Sequence, residues 1–293
     1  MKGENKEEFP LRFLPMMQEE NIFGDPVDGV SVCYAISNQQ VEVLGKVFPE
    51  FPRDRVVISP NGVNSRVFYE RELDLNQVLS QFETKPYEGS GKESVSIPSG
   101  FDNMILFVGK FANWKRLDVL LRAASICEPD FKEKGRNVAT IVVGSGPLDA
   151  QKEYQDLADE LGLTNTYFIG PQAQPILAEL ANVASVGVYP SKNEPFGMVF
   201  IECMGCGTPV IGADSGGPRD FVSPDVGMLV PESDNKEELG KSFSNAIIQS
   251  IEEDWKTSKK QACLALVATK YSVEAQCKNL LTNTEEILNK ESP

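Results

Sequence analysis

The sequence predicts an α/β fold in which a parallel sheet carries helices on both faces. From residue 103 onward, short apolar runs alternate with longer segments of helical spacing, which is the pattern of repeated strand–helix units. The apolar runs are continuous, as is typical of strands buried on both faces. Glycine or serine follows several runs directly, and parallel sheets bind ligands outside the carboxyl ends of their strands. The loops after the strands are therefore the candidate binding region.

The elements of this region follow from its apolar runs and turn residues. Strands are predicted at 104–108, 138–143, 166–169, 186–189, 208–211 and 228–230. Helices are predicted near 116–126, 151–161, 176–183 and 198–206, and 235–289 has helical spacing throughout. The residues that follow strand ends, and that we expect to converge on one edge of the sheet, are Gly109, Gly144, Gly170 and Ser191.

The chain before residue 103 divides into three stretches. Residues 1–29 are polar and interrupted by proline, which predicts a poorly ordered lead. A strand at 30–37, a helix at 38–47, a strand at 55–59 and a strong turn at 60–64 are predicted next, with Ser37 placed to cap the helix. Residues 70–102 are charged and then rich in Gly, Ser and Pro, which predicts a flexible interdomain linker with an insertion.

Length and composition limit the function. A chain of 293 residues is long for one α/β domain and slightly short for two. Its net charge of −15 repels nucleic acid over long range and argues against a nucleic-acid partner. Histidine is absent, which excludes histidine bases, histidine metal ligands and serine–histidine nucleophile systems. Cys203 and Cys206 form a C-x-x-C pair, but without a second pair nearby we interpret them as small core residues of a protein in reducing surroundings.

The sequence carries no sign of membrane insertion. No apolar run approaches the ~20 residues that span a bilayer. The opening MKGENKEEFP lacks the apolar segment of a secretory signal. We therefore expect a soluble cytoplasmic protein, with peripheral membrane contact left open.

The most informative stretch is 191–217, SKNEPFGMVFIECMGCGTPVIGADSGG. A polar turn holding Glu194 precedes a helix that carries a second carboxylate, Glu202, and then a short strand and a double-glycine turn. The two carboxylates are eight positions apart, or ~12 Å along a helix axis. That length is comparable with the separation of hexose and ribose in a nucleotide sugar. A carboxylate accepts hydrogen bonds from vicinal hydroxyls, and the N–H groups at the helix N-terminus suit a diphosphate.

This stretch is similar to the donor-site signature, E-x7-E, of the retaining glycosyltransferases of family 4. The likeness extends to the E-P-F-G start, the G-T-P-V strand and the double glycine. Two glutamates at this spacing alone would more simply be a solvated loop residue and an exposed helix residue. Residues 60–68 also match the family's P-N-G-V-[DN]-x-x-x-F segment. The resemblance implies the two-domain B-type fold, in which residues 103–270 form a Rossmann-like donor-binding domain.

A basic pair supports the same resemblance. Lys110 and Lys115, in GKFANWKR, correspond to the basic residues that hold the donor diphosphate in the family. The first is Lys where the family usually has Arg, and Arg116 stands where the family has Gly. Lysine neutralises phosphate as a point charge but lacks the two-pronged geometry of arginine. Two solvated loop lysines are the alternative interpretation.

The resemblance implies roles for particular residues. Glu194 would orient the hexose and Glu202 the ribose, while Lys110 and Lys115 would neutralise the departing diphosphate, so that Glu194, Lys115 and Lys110 are the candidate catalytic residues. The predicted donor-binding residues are Gly109, Lys110, Lys115, Gly144, Glu194, Pro195, Phe196, Gly197, Met198, Val199 and Glu202. The sequence has no metal-binding signature, so neither a metal nor a cofactor is expected beside the nucleotide sugar.

The resemblance also implies a missing part. Residues 1–69 correspond only to the end of the acceptor domain, 70–102 to the linker, and 271–293 to a final helix that returns to the first domain. We therefore expect a fragment, an incomplete gene model or a protein completed by a partner subunit. The predicted activity is retaining transfer of a hexose from a nucleoside diphosphate sugar to an unidentified acceptor. The alternative is a non-catalytic nucleotide-sugar-binding module or partner subunit, and an epimerase or phosphorylase of the same fold is a weaker third.

Overall fold

The computed structural model describes residues 32–291, so the predicted lead and the first residues of the predicted strand at 30–37 lie outside the described residues. The strands are β1 Cys33–Ala35, β2 Val56–Ile58, β3 Asn103–Val108, β4 Val138–Val143, β5 Thr166–Gly170, β6 Val186–Tyr189, β7 Val210–Ala213 and β8 Gly227–Val230. The helices are α1 Asn38–Val47, α2 Leu75–Leu79, α3 Leu117–Glu133, α4 Leu148–Glu160, α5 Gln174–Val183, α6 Met198–Gly205, α7 Lys236–Glu252, α8 Trp255–Ser258, α9 Lys260–Leu266 and α10 Val273–Glu291, with a π-helical turn at Val267–Tyr271 between the last two.

Six parallel strands form one sheet in the order β5-β4-β3-β6-β7-β8. The chain enters at β3, runs outward through β4 to β5, and then returns to place β6 on the other side of β3. The strand order therefore reverses between β3 and β6. Ligands of such sheets bind outside the carboxyl ends of the strands at this reversal. The predicted parallel α/β fold is confirmed.

The start of β7 differs from the prediction because of the proline that precedes it. The strand predicted at 208–211 is found at Val210–Ala213. Pro209 has no N–H to donate to a sheet ladder. The preceding Thr208 closes α6 instead, because its N–H donates to the carbonyl of Cys203 at 3.0 Å. The first two residues of the predicted strand are therefore used for the turn that ends the helix.

Helices cover the sheet and enclose one continuous core. α3 packs along α7, and α6 packs against α5 and α9. Strand residues such as Met104 and Leu106 have no exposed surface. Cys203 and Cys206 are free thiols buried in this core, as predicted.

The segment predicted as a flexible linker is packed onto the domain. The N–H of Lys85 donates to the carbonyl of Phe168 on the edge strand β5 at 2.7 Å. The side chain of Gln155 on α4 accepts from the N–H of Tyr87 and donates to the carbonyl of Lys85. The apolar side chains of 70–102 that join the main core are Val78, Leu79, Phe82, Ile97 and Phe101. These few apolar residues anchor the segment, which composition and periodicity did not reveal, and its role as an interdomain linker stays a prediction.

The described part of the first 69 residues forms a small unit with its own apolar cluster. β1 and β2 pair in parallel, and α1 runs over residues 38–47, as predicted. Leu44 in α1 and Phe48 directly after it pack with Phe51 in an apolar cluster that is separate from the main core. The predicted strands at 30–37 and 55–59 are thus present in shorter form.

The last helix, α10, contacts this unit. The hydroxyls of Tyr34 and Thr284 are 2.8 Å apart, and the N–H of Gly62 donates to the side-chain oxygen of Gln276. Val63 pairs with Ser272 in an isolated parallel bridge. None of the helices within 32–291, α10 included, combines the length and apolar character needed to cross a membrane.

Candidate functional site

The reversal of strand order brings two loops together at the carboxyl edge of the sheet. One follows β3 and ends with a 3-10 turn at Asn113–Lys115, and the other follows β6 and contains Glu194. The N–H of Lys192 donates to the carbonyl of Trp114 at 2.8 Å and so joins the loops directly. Two motifs far apart in the chain, with 79 positions between Lys115 and Glu194, therefore form a single site.

Glu194 and Lys115 form an ion pair in this site. The Nζ atom of Lys115 is 2.6 Å from Oε2 of Glu194, and the two side chains are 13% and 10% exposed, the lysine first. The same ammonium lies 4.1 Å from the centroid of the Trp114 ring, within the range of a cation–π contact. A charge this far from water needs such partners, since an unpaired buried charge is strongly unfavourable. Both residues were predicted for the site, but their direct contact was not.

The double-glycine turn holds the backbone of the E-P-F-G loop, residues 194–197. The carbonyl of Glu194 accepts from the N–H of Gly217 at 2.7 Å, and Glu194 pairs with Gly216 as an isolated bridge. A Cβ on Gly217 would lie 2.6 Å from Cα of Phe196, and Gly216 has a φ of 81°. The two loops approach so closely that no side chain fits between them. The glycines are therefore required by the position of Glu194.

The loop ends where α6 begins. Gly197 has a φ of 103° and directly precedes the helix, whose first N–H groups lack acceptors within the helix. The predicted donor-binding residues Pro195, Met198 and Val199 surround this N-terminus. Phe196 differs, because its ring is buried against Phe221 and Tyr271 at centroid distances of 5.5 and 6.1 Å. Phe196 can thus offer a ligand only its backbone.

Glu202 lies farther along α6 in a different environment. Burial raises the pKa of its carboxyl from 4.5 to about 7. Its carboxylate makes no hydrogen bond or ion pair with the side chains and backbone of the described residues. Its carboxyl is thus divided between neutral and ionised forms near neutral pH. A ligand that donates hydrogen bonds would favour the ionised form.

The predicted glycines form a floor without side chains beside the ion pair. The N–H of Gly109 donates to the carbonyl of Val143, and that of Gly144 to the carbonyl of Gly170. A Cβ on Gly144 would lie 1.8 Å from the carbonyl oxygen of Gly109. Lys110 follows this floor, is exposed, and takes part in no ion pair among residues 32–291. The sheet edge thus presents backbone and positive charge in a protein of net charge −15.

Comparison with known proteins agrees with this arrangement. The family model described as glycosyl transferases group 1 matches residues 93–262, which is more than half of the chain. The chain belongs to this family. The match includes both loops of the site and the whole six-stranded sheet.

Curated relatives of this group 1 glycosyl transferase include two named D-inositol 3-phosphate glycosyltransferase. That of Thermomonospora curvata is 43% identical over 136 residues, which is 45% of this chain and 32% of the relative. That of Stackebrandtia nassauensis is 30% identical over 250 residues, 82% of this chain and 51% of the relative. The chain thus spans about half or less of the length of these relatives.

Solved structures share the fold. Sucrose-phosphate synthase from Thermosynechococcus elongatus superposes with a TM-score of 0.73 at 22% identity, over 99% of this chain and 65% of that one. Anabaena Alr3699/HepE in complex with UDP-glucose superposes with a TM-score of 0.69 at 21% identity, over 88% of this chain and 65% of that one. At these identities the similarity establishes a common fold.

The backbone beside the ion pair is unusual. Three described residues other than glycine have a positive φ, and two of them flank the pair: Arg116 at 51° and Asn193 at 53°. Such conformations are uncommon outside glycine and cluster at functional sites. Arg116, which the sequence comparison above predicted to stand in place of a glycine, adopts a conformation that glycine adopts freely. Its guanidinium pairs with Glu232 at 2.7 Å.

Several residues near the site of this group 1 glycosyl transferase were missed by sequence reasoning. Trp114 and Lys85 are the main cases: the tryptophan lies in the GKFANWKR stretch but was given no role, and the lysine belonged to the predicted linker. The side chain of Lys85 packs over Gly170. Both residues line a pocket of about 430 Å³ that Gly144 also lines. Only tertiary packing could show either one. Within 32–291 no group of three or more Cys, Asp or Glu side chains is arranged to hold a metal ion.

Proposed function

We propose that this group 1 family member binds a nucleoside diphosphate sugar across the carboxyl ends of β3 and β6 and acts in retaining glycosyl transfer. The observation that carries the proposal is the buried Glu194–Lys115 pair at the reversal of strand order. A carboxylate and an ammonium held together there can meet the hydroxyls of a sugar and the phosphates attached to it. The reaction would move the glycosyl group from the diphosphate to a hydroxyl of an acceptor, with retention at the anomeric carbon.

The diphosphate would lie over the N-terminus of α6. Free N–H groups at a helix N-terminus and the helix dipole both favour an anion. Lys115, beneath the loop, and Lys110, at the rim, would supply positive charge as the bond to the diphosphate breaks. Charges placed before the reaction stabilise developing negative charge without reorganisation, which is often the main source of rate acceleration. This role needs no metal, and the lysines are the groups proposed to replace one.

The two carboxylates would bind the two sugars of the donor. Glu194, oriented by Lys115 and the double-glycine turn, would accept hydrogen bonds from the transferred hexose. Glu202 would accept hydrogen bonds from the ribose hydroxyls, because vicinal hydroxyls can donate to both carboxylate oxygens. Neither glutamate needs to act as a nucleophile. The UDP-glucose complex of the Anabaena protein supports a nucleotide-sugar donor, and the name of the relatives supports glycosyl transfer.

The test is calorimetric titration of the chain with UDP and with GDP, beside three variants. Glu202→Ala should weaken nucleotide binding by about 1–3 kcal/mol, the value of a hydrogen bond to a charged group. Glu194→Gln should weaken binding of the nucleotide sugar more than binding of the nucleotide. Glu160→Gln, at the exposed end of α4, is the matched control and should bind as wild type does.

Transfer itself is measured as release of nucleotide from the sugar donor when an acceptor is supplied. Saturable binding that depends on Glu202 supports the donor site. Binding without any transfer, in the full-length protein, would favour a non-catalytic partner subunit. A folded chain that binds neither nucleotide would contradict the proposal.

A further inference from the structure

The small N-terminal unit makes a direct contact with the E-P-F-G loop. Ser37, which precedes α1, is fully buried, and its hydroxyl donates to the carbonyl of Pro195 at 2.6 Å. The same oxygen accepts from the N–H of Gln40, so that Ser37 also caps the helix, as its sequence position predicted. One side chain thus ties the start of α1 to the residue after Glu194.

A second contact fixes the start of the helix. Both the N–H and the side-chain amide of Asn38 donate to the carboxylate of Asp220, at 2.8 and 2.9 Å. Asp220 ends the short 3-10 turn that begins at Gly217. A carboxylate at a helix N-terminus is favoured by the helix dipole. The same double-glycine turn therefore holds Glu194 from one side and the start of α1 from the other.

These contacts leave the backbone around Glu194 little freedom. The carbonyl of Glu194 is held by Gly217, and the next carbonyl, that of Pro195, is held by Ser37. Pro195 has no N–H, so its carbonyl is its single backbone hydrogen-bonding group. Successive peptide groups are thus anchored by two different parts of the chain. Losing the Ser37 anchor would free one of them while Lys115 and the double glycine stay in place.

We infer that Ser37 is a positioning residue for sugar recognition. By holding the carbonyl of Pro195 it sets the direction in which the Glu194 carboxylate meets the transferred sugar. This inference rests on the proposed function of the site. It predicts a larger effect on the sugar part of the donor than on the nucleotide part, because the nucleotide part would also be held by Lys110, Lys115, Glu202 and the N-terminus of α6.

The experiment compares Ser37→Gly with Ser37→Thr. Glycine removes the hydroxyl but remains an acceptable helix cap, whereas threonine keeps a hydroxyl that can donate. Asp74→Ala is the control for a lost cap, since Asp74 caps α2 through the N–H of Gln77 far from the motif. Dissociation constants are measured for UDP and UDP-glucose and, in parallel, for GDP and GDP-mannose.

For the nucleotide that binds, Ser37→Gly should change the affinity for the diphosphate less than twofold. It should weaken binding of the corresponding nucleotide sugar by roughly three- to tenfold, the range expected when one hydrogen bond no longer orients a group. Ser37→Thr should restore at least part of the loss, and Asp74→Ala should change neither. Equal weakening of both ligands, or of neither, would overturn the inference.

Amide hydrogen exchange of the free protein provides a test that needs no ligand. Ser37→Gly should accelerate exchange in 194–200 relative to wild type and to Asp74→Ala. Unchanged exchange would overturn the anchoring role whatever binds. A wild-type chain that binds none of the four ligands would contradict the proposed function, and the exchange result would still decide whether Ser37 holds the loop.

Discussion

The two carboxylates of the central motif are both shielded from water and eight positions apart, but only Glu194 has an ion-pair partner among the described residues. Glu194, before α6, is paired with an ammonium, and its backbone is held on both sides. Glu202, within α6, is desolvated, has no partner among the described residues, and has a pKa raised to about 7. The first is ordered and charge-compensated in advance, and the second is partly buried without a side-chain partner among the described residues, so that a ligand can supply its hydrogen-bond donors. A repeated residue type in a motif therefore need not indicate a repeated role.

The largest expected effect is on stability at the Glu194 end. Glu194→Ala leaves the Lys115 ammonium buried without its carboxylate, and removing one partner of a buried pair costs about 3 kcal/mol. Lys115→Ala should cost a similar amount, and the pair Lys115→Met with Glu194→Gln should recover much of it. Urea unfolding at pH 7 measures each loss.

The control for this cycle is Lys152→Ala, which breaks the exposed pair with Asp156 on α4. Exposed pairs contribute little, so no measurable loss is expected. If Glu194→Ala and Lys115→Ala lower the free energy of unfolding no more than Lys152→Ala does, water screens the Glu194–Lys115 pair. The contrast between the two ends of the motif would then be smaller than the burial suggests.

Replacing Glu202 is expected to raise the free energy of unfolding, whereas replacing Glu194 lowers it. A pKa raised from 4.5 to about 7 means that ionisation of Glu202 disfavours the folded state. Its penalty is absent below the unfolded pKa, grows as pH rises between the two pKa values, and is complete above the folded one. Glu202→Gln should therefore stabilise the free protein by about 2 kcal/mol at pH 8 and by little at pH 4.5. Urea unfolding at both pH values tests this, and a variant less stable than wild type at pH 8 would contradict it.

The affinity for nucleotide should also depend on pH through the ionisation of Glu202. If the ribose hydroxyls donate to ionised Glu202, the ionised fraction of that carboxyl limits binding. With a pKa of about 7, that fraction rises roughly tenfold between pH 6 and pH 8, and affinity for UDP should rise by a similar factor. Glu202→Gln is the control, because the slope that remains in it belongs to the nucleotide's own phosphate. Equal slopes in both proteins would remove Glu202 from the ribose contact.

The smallest effect is expected at Arg116. Arg116→Gly relieves a left-handed conformation but removes the ion pair with Glu232. These two effects oppose each other, and each is about 1 kcal/mol or less. We expect a net change in unfolding free energy below about 1 kcal/mol and nucleotide affinity within twofold of wild type. A large loss of affinity would show that the guanidinium itself contacts the donor.

The alternation of strands and helices, the fold class and the candidate site residues could all be predicted from the amino-acid sequence. Continuous apolar runs can be buried only between helices, and Gly197, Gly216 and Gly217 indicated the turns because few other residues adopt such conformations or allow so close an approach. The packing of 70–102 onto the domain was not predicted, since composition alone does not show which apolar residues join a core.

Contacts between distant parts of the chain could not be predicted in this way, because they depend on how the elements pack in three dimensions. Strand order is a long-range property, and its reversal between β3 and β6 placed Lys115 on Glu194. The same is true of the anchor from Ser37, which lies 158 positions before its partner. Burial, and with it the raised pKa of Glu202, depends on neighbours that local sequence does not specify. Local sequence is enough to predict helices, strands and turns, whereas charge states and long-range contacts depend on packing between distant segments.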